Sequence, residues 1–429
     1  MPFKRVTILG LGYIGLPTAA ILASKGIKVT GVDVNQKVVD TVNSGKAHII
    51  EPGLEELIKT SINSGHLKAS SYVQPADVFI IAVPTPLSLG KEPDVTYIKK
   101  AAKMIAPVLT KGNVIILEST SPVGTTLQLS DWLATERYDL NFPNAETTET
   151  DIHIAYCPER VIPGNVIEEL ESNTRIIGGL TKKCSEKASQ LYKSFVNSSM
   201  HLTDSSVAEF VKLAENSYRD VNIAFANELS LICDKLKINV WELISFANKH
   251  PRVNILSPGP GVGGHCIAVD PWFIVHSVPE FSKLIKTARN INDSKPGWVI
   301  DKVKSQLTTI LSHNPGLSLN QINISCLGLS FKADIDDLRE SPALQIVMQM
   351  ANELPCKLHV YEPNITSLPN ILSEKCILTD LECAINLADV IVVLVDHEEV
   401  RNFNYKMITN KMIVDTRGCW QKIANGTDD

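Results

Sequence analysis

Cys266 follows a stretch, Pro258–Gly264, in which every residue except Val262 is proline or glycine. Such a run excludes regular structure and lets bare backbone approach a ligand closely. A helix beginning at this cysteine would put the thiol at its N-terminus, where thiolate is favoured. Asp270 would then lie one turn on, on the same face. The combination points to a nucleophile with a carboxylate beside it. No Ser-His-Asp set and no zinc-ligand spacing competes with it, so no metal is expected. The nine cysteines are an odd number and contain no CxxC pair. A disulfide framework is therefore not expected, and a reducing, cytoplasmic setting is.

Lys212, Asn216 and Arg219 fall at i, i+4 and i+7 of a helical pattern and share a face. Apolar residues flank them. A stripe of this kind either faces solvent or lines a site, and these three side chains can hydrogen-bond hydroxyls and phosphates. Near the N-terminus, Gly10-Leu-Gly12-Tyr13-Ile14-Gly15 follows a strand and opens a helix, and Asp33 closes the next strand. That is the dinucleotide fingerprint: Gly12 lets the backbone approach a pyrophosphate, and the helix N-terminus favours its charge. Asp33 accepts from a ribose 2′-hydroxyl and repels a 2′-phosphate, which selects NAD over NADP.

These residues need an α/β scaffold. Val6–Leu9, Lys28–Asp33, Ala76–Val83 and Asn113–Leu117 are short, nearly continuous apolar runs, as in parallel strands covered on both faces. The cadence returns at 323–329, 357–364, 388–395 and 411–415. Ser330 and Ala333 stand where Gly12 and Gly15 stand in the first copy, so the second copy lacks the fingerprint. It offers Phe331 and Lys332 at the strand's carboxyl end instead. Lys332 there suits a phosphate or sugar hydroxyl, or is simply solvated. Ser206–Leu236 contains neither proline nor glycine and has a helical period, so it predicts a long helix joining the two ends. Phe142–Asp151 reads as an exposed polar loop. The expected division is 1–200, 201–300 and 301–429. A net charge of −6 over 429 residues argues against a nucleic-acid binder, and no apolar run is long enough to span a membrane.

GLGYIG, VPTP (Val83–Pro86), STSPVG (Ser119–Gly124), CPER (Cys157–Arg160), Lys212–Arg219, GPGVGGHC (Gly259–Cys266) and FKADIDDLRES (Phe331–Ser341) together resemble the nucleotide-sugar 6-dehydrogenases. That family contains UDP-glucose, GDP-mannose and UDP-N-acetylhexosamine dehydrogenases, and the likeness runs from about residue 5 to about residue 420. ENSYRDVNIAFANELS (Glu215–Ser230), HPRVNIL and PGPGVGGHCIAVDPWFI are most similar to the bacterial members acting on UDP-N-acetyl-D-mannosamine. His265 stands where those acting on UDP-glucose typically have serine.

The resemblance implies two Rossmann-like doubly wound domains joined by a central helical domain. It implies NAD as cofactor and a four-electron oxidation at C6 of a UDP-N-acetylhexosamine, through a thiohemiacetal and a thioester on Cys266. The expected sugar is N-acetyl-D-mannosamine, with its C2 epimer N-acetyl-D-glucosamine as the alternative. Lys212, or a water held by Asp270, would take the hydroxyl proton. Asn216 and Thr120 would hold a substrate oxygen. Glu159 would activate the hydrolytic water, or else pair with a nearby base. Tyr13, Ile14, Asp33, Thr85, Thr126 and Arg339 would contact the cofactor. Arg160, Val161, Lys212, Asn216, Arg219, His250, Arg252, Gly263, Phe331, Lys332 and Arg417 would contact the substrate. The match to Arg252 implies a homodimer with shared sites, serving bacterial surface-polysaccharide synthesis. Two other classes stand against this: a one-step hydroxyacid dehydrogenase, which needs neither the cysteine nor the third domain, and a non-catalytic nucleotide-sugar sensor.

Overall fold

A computed structural model of the chain describes residues 3–88, 90–144, 149–162, 164–264, 266–404, 408 and 411–420. They form two compact units, Met1–Glu215 with Trp272–Val278, and Asn216–Pro271 with Pro279–Asp429.

The first unit is built on an eight-stranded sheet. Its strands are β1 (Arg5–Leu9), β2 (Lys28–Val32), β3 (Leu67–Ser70), β4 (Val78–Ile81), β5 (Val114–Leu117), β6 (His153–Tyr156), β7 (Arg175–Gly179) and β8 (Met200–Asp204). Their order is β3-β2-β1-β4-β5-β6-β7-β8, and only the β6–β7 pair is antiparallel. Side chains alternate between the faces. Ile8, Ile80 and Ile116 pack on one side with Leu16 and Ile21 of the first helix, while Leu9, Ile81 and Leu117 pack on the other with Leu129 and Leu133. Each such buried aliphatic contributes about 1.5–3 kcal/mol of transfer free energy. That two-sided burial is why the strands read as unbroken apolar runs. Gly26, at φ +84°, closes the first helix, Gly15–Ser24, in the left-handed conformation that glycine tolerates.

The second unit carries β9 (Asn323–Leu327), β10 (Lys357–Tyr361), β11 (Cys376–Leu378), β12 (Val390–Val393) and β13 (Met412–Asp415), all parallel, in the order β11-β10-β9-β12-β13. This repeats the order β3-β2-β1-β4-β5, so the echo between the chain's two ends is an echo of topology. The helix Lys283–His313 covers one face of this sheet with Val299, Val303 and Leu307.

The long helix expected over 206–236 spans Ser205–Leu236. The stretch 142–151 departs from a purely exposed loop: Phe142 is buried in the core, and residues 145–148 lie outside those described. His265 also lies outside them. Among the described residues, no helix is long and apolar enough to cross a membrane, and no group of His, Cys, Asp or Glu is placed to hold a metal.

Candidate active site

In the first unit, the three glycines of the fingerprint have separate jobs. Gly10 turns at φ +91°, and a Cβ there would lie 2.5 Å from the Ala82 carbonyl oxygen. A Cβ on Gly15 would lie 1.9 Å from the Gly10 oxygen, so the helix can sit this close to the strand only with glycine. Gly12 has nothing within 4 Å of such a Cβ and is exposed. That opening lies at the start of the helix Gly15–Ser24, whose N-cap residue, Ile14, makes no side-chain capping bond. The residues fit a cofactor diphosphate: bare backbone, an uncapped helix start and Tyr13 half-buried beside them. Asp33 stands at the carboxyl end of β2, where Oδ2 accepts from the Leu11 N–H and Oδ1 from the Asn35 N–H. Both oxygens are fixed, and each keeps a lone pair for a ribose hydroxyl.

The loops after β4 and β5 meet at the same sheet edge. The Thr85 hydroxyl donates to the Thr120 carbonyl at 2.5 Å, tying VPTP to STSPVG. The Thr126 hydroxyl is turned into the fold, where it and the Thr126 N–H both donate to Glu209 Oε1. Glu209 Oε2 takes the Gly124 N–H. A buried carboxylate thus caps the helix Thr125–Glu136 from one turn before Lys212. Burial pushes the Glu209 carboxyl up, opposed by the hydrogen bonds it accepts.

Lys212 Nζ donates to the main-chain oxygen of Glu159 at 2.5 Å. The Glu159 side chain pairs with Arg175 at 2.7 Å, both buried, and its Oε1 accepts the Arg160 N–H at 2.6 Å. The ion pair weighed as the alternative role for Glu159 is therefore present. Arg160 is itself held by Glu215 at 2.6 Å, and Val161 follows half-buried. Behind the pair, Glu118 Oε1 accepts from the Tyr192 hydroxyl at 2.7 Å, while Oε2 is buried with no hydrogen-bond partner among the described residues.

Burial first, then the Glu159 charge, pushes the Glu118 carboxyl up to about 7. The folded state therefore holds a proton that the unfolded chain releases from about 4.5 upward. Stability from this group falls as pH rises from about 4.5 to 7. Glu118→Gln should remove that slope and stabilise the fold at pH 8 by up to about 3 kcal/mol. Urea melts of both proteins at pH 5 and pH 8 measure it; equal pH dependence would refute the assignment.

In the second unit, Asn216 Nδ2 donates to Asp270 Oδ2 at 2.5 Å. The Asp270 N–H donates to the Cys266 carbonyl at 2.8 Å, and so does the Val269 N–H. The regular helix runs Asp270–Ser277, so Cys266 sits in a turn ahead of it rather than at its first residue. Its carbonyl nevertheless takes the i+4 bond, which keeps cysteine and aspartate one turn apart. The thiol is half-buried.

The glycine run lies against the loop after β9. A Cβ on Gly263 would stand 2.7 Å from the Glu340 oxygen, Phe331 Cβ and Pro342 Cδ. One on Gly259 would stand 2.7 Å from an Arg417 guanidinium nitrogen. Pro260, Phe331, Lys332 and Arg417 line a single small cavity there. Arg417 is aimed by Asp396 at 2.7 Å, and Lys332 is exposed at the mouth. The arrangement sets two basic side chains beside bare backbone, chemistry that suits a phosphate. The first-copy opening is closed in this sheet: the Leu329 and Ser330 N–H groups both donate to buried Glu362, which His397 Nε2 contacts at 3.1 Å. Arg339 is held by Asp337 at 2.6 Å. Arg219, His250 and Arg252 are exposed, and neither of these arginines has an ion pair among the described residues.

Residues 4–196 match the NAD-binding domain of the UDP-glucose/GDP-mannose dehydrogenase family, 206–294 its central domain and 325–422 its UDP-binding domain. The chain belongs to this family. It is 58% identical over 400 residues to the UDP-N-acetyl-D-mannosamine dehydrogenase of Campylobacter jejuni, covering 92% of this chain and 96% of that one. It is 53% identical over 418 residues to the NDP-N-acetyl-D-galactosaminuronic acid dehydrogenase of Ralstonia nicotianae, covering 97% and 96%. Among solved structures it is similar to the UDP-D-ManNAc dehydrogenase of Pyrococcus horikoshii, with TM-score 0.85, 38% identity and 97% and 96% coverage.

The protein is thus an NAD-dependent nucleotide-sugar dehydrogenase, and the first unit carries the NAD-binding domain. Sequence reasoning missed Arg175, Glu118, Glu209 and Asp396. One signal was available: an acidic residue closing the apolar run Asn113–Leu117 has to be used or neutralised.

Proposed function

We propose that the protein oxidises C6 of UDP-N-acetyl-D-mannosamine to the carboxylate, consuming two NAD per sugar and passing through a covalent bond to Cys266. The observation that carries this reading is the Asn216–Asp270–Cys266 constellation, with a thiol placed one turn from a fixed carboxylate. NAD supplies the hydride acceptor at each oxidation. Lys212, or a water held by Asp270, takes the proton of the C6 hydroxyl. The Lys212 ammonium then stabilises negative charge developing on that oxygen. Asn216 and Thr120 hold substrate oxygens. The Cys266 thiolate adds to the aldehyde carbon, and the carbonyl oxygen takes up a proton. Loss of that proton and of a second hydride leaves the thioester. Water attacks the thioester carbon, the C–S bond breaks and the thiolate returns. Glu159 activates this water with the lone pairs that its bonds to Arg160 and Arg175 leave over. Lys332 and Arg417 hold the diphosphate.

The expected product feeds surface-polysaccharide synthesis from the cytoplasm. The proposed assembly is a homodimer in which the partner's site uses Arg252. Tyr218, Phe225 and Ile232 support it: they are exposed and seven residues apart on the long helix, which makes one apolar stripe. Sedimentation of a fully active monomer would contradict this.

The Ralstonia relative favours a second reading, the galacto-configured sugar, at comparable identity. NADH yield and kcat/KM with the manno, gluco and galacto UDP-acetamido sugars decide between them. Two NADH per sugar are expected, with the manno sugar preferred by tenfold or more. One NADH would mean a one-step dehydrogenase, and none a sensor.

A further inference from the structure

We propose that Asn227 and Asn292 are positioning residues that fix the glycine run, and with it Cys266, through a one-way hydrogen-bond chain anchored on Asp220 and Arg289. The inference rests on reading Cys266 as the nucleophile.

The Gly259 N–H donates to Asn227 Oδ1 at 2.9 Å. Asn227 Nδ2 donates to Asn292 Oδ1 at 2.8 Å. Asn292 Nδ2 donates to Asp220 Oδ1 at 2.8 Å and to the Asp220 carbonyl at 3.1 Å. Arg289 donates to the same Oδ1 at 2.6 Å. None of these four side chains is more than 2% exposed. Asp220 and Asn227 lie on the helix Ser205–Leu236, and Arg289 and Asn292 on Lys283–His313, so two helices hold the loop together.

The chain has a fixed direction. A carboxylate paired with Arg289 only accepts, so the Asn292 nitrogen must face it. The Asn292 oxygen then faces Asn227, whose own oxygen is left for the Gly259 N–H. Turning either amide over would break bonds on both of its sides. Hydrogen bonds linked head to tail in a buried setting reinforce one another.

The loop needs such a tether. Pro258 and Pro260 flank Gly259 and have no N–H, so Gly259 supplies the only main-chain donor of the three. Glycines lose the most conformational freedom on ordering and bring no side chains to pack. The run meets the rest of its unit by bare contact, Gly261 near Pro342 and the Asn292 carbonyl, Gly264 on the Phe331 ring. Cys266 follows directly. Displacing a reacting atom by about 1 Å can cost about 10²-fold in rate.

The test uses full-length Asn227→Ala and Asn292→Ala. Amide exchange is followed across Gly259–Cys266 and across the first unit's strands, and kcat and KM are measured with UDP-N-acetyl-D-mannosamine and NAD. Loop exchange should be at least tenfold faster, with first-unit exchange unchanged. The kcat should fall tenfold or more, while KM for NAD stays within twofold. Wild-type loop exchange, or faster exchange with wild-type kcat, would overturn the proposal. If Asn227→Ala does not fold, Asn292→Ala decides alone, since the Asn292 side-chain hydrogen bonds among the described residues go to Asn227 and Asp220 and none to the loop. Full turnover by Cys266→Ser would instead sink the nucleophile reading, and exchange would still report on the tether.

Discussion

Replacing Cys266 with serine is expected to lower net turnover by roughly three orders of magnitude or more while the protein stays folded. The side chain is half-buried, and serine differs from it by one atom, so packing hardly changes. The chemistry changes a great deal. A free thiol, with a pKa of about 8.5, is partly ionised at neutral pH, whereas an alcohol is not. A sulfur ester is also the better acyl donor to water. The first hydride transfer needs no sulfur, so the variant should still form a little NADH in a single early phase. The steady state after that phase should be nearly flat. Turnover within tenfold of wild type, with the melting temperature preserved, would refute the covalent route.

Arg175→Ala should have the largest effect on stability. Arg175 and Glu159 are both buried and 2.7 Å apart. Removing the guanidinium leaves a carboxylate buried among Glu118, Tyr192 and Cys157 without its cation. Breaking a buried pair from one side typically costs about 3–5 kcal/mol. The Arg175 bond to the Leu170 carbonyl, at 3.1 Å, and its place over the Tyr192 ring are lost as well. The paired replacement Arg175→Met with Glu159→Gln removes both charges and should lose much less. Urea unfolding of wild type, single and double variants measures this. A single variant within about 1 kcal/mol of wild type, the size of an exposed pair, would show that the two charges are not buried as described.

These two sites differ in how readable they were. The cysteine, its glycine run, the dinucleotide fingerprint and the long helix are local patterns, and spacing along the chain carries them. The repeated strand order was legible for the same reason, because each buried parallel strand advertises itself as an apolar run. The Glu118–Glu159–Arg175–Tyr192 cluster was not. Its members come from the loops after β5 and β6, from β7 and from the end of the helix Lys182–Tyr192, and Tyr192 and Glu118 are 74 residues apart. Arg175 opens β7, a short strand that ends in two glycines, and β8 mixes apolar with polar residues, which blurs the strand signal there. Thr126 shows the same limit. The motif names it, but only the fold shows its hydroxyl spent on Glu209, 83 residues away. The helix expected to open at Cys266 opens at Asp270 instead, because the turn after the glycines takes four residues to settle.

The most direct measurement is the mass of the protein in mid-reaction. The enzyme is mixed with NAD and UDP-N-acetyl-D-mannosamine, quenched in acid within one turnover, digested and mapped. Wild type, and Glu159→Gln with hydrolysis slowed, should carry an oxidised UDP-sugar on the peptide containing Cys266, and Cys266→Ser should not. Two NADH per sugar with that peptide unmodified at every time point, in both proteins, would contradict the account.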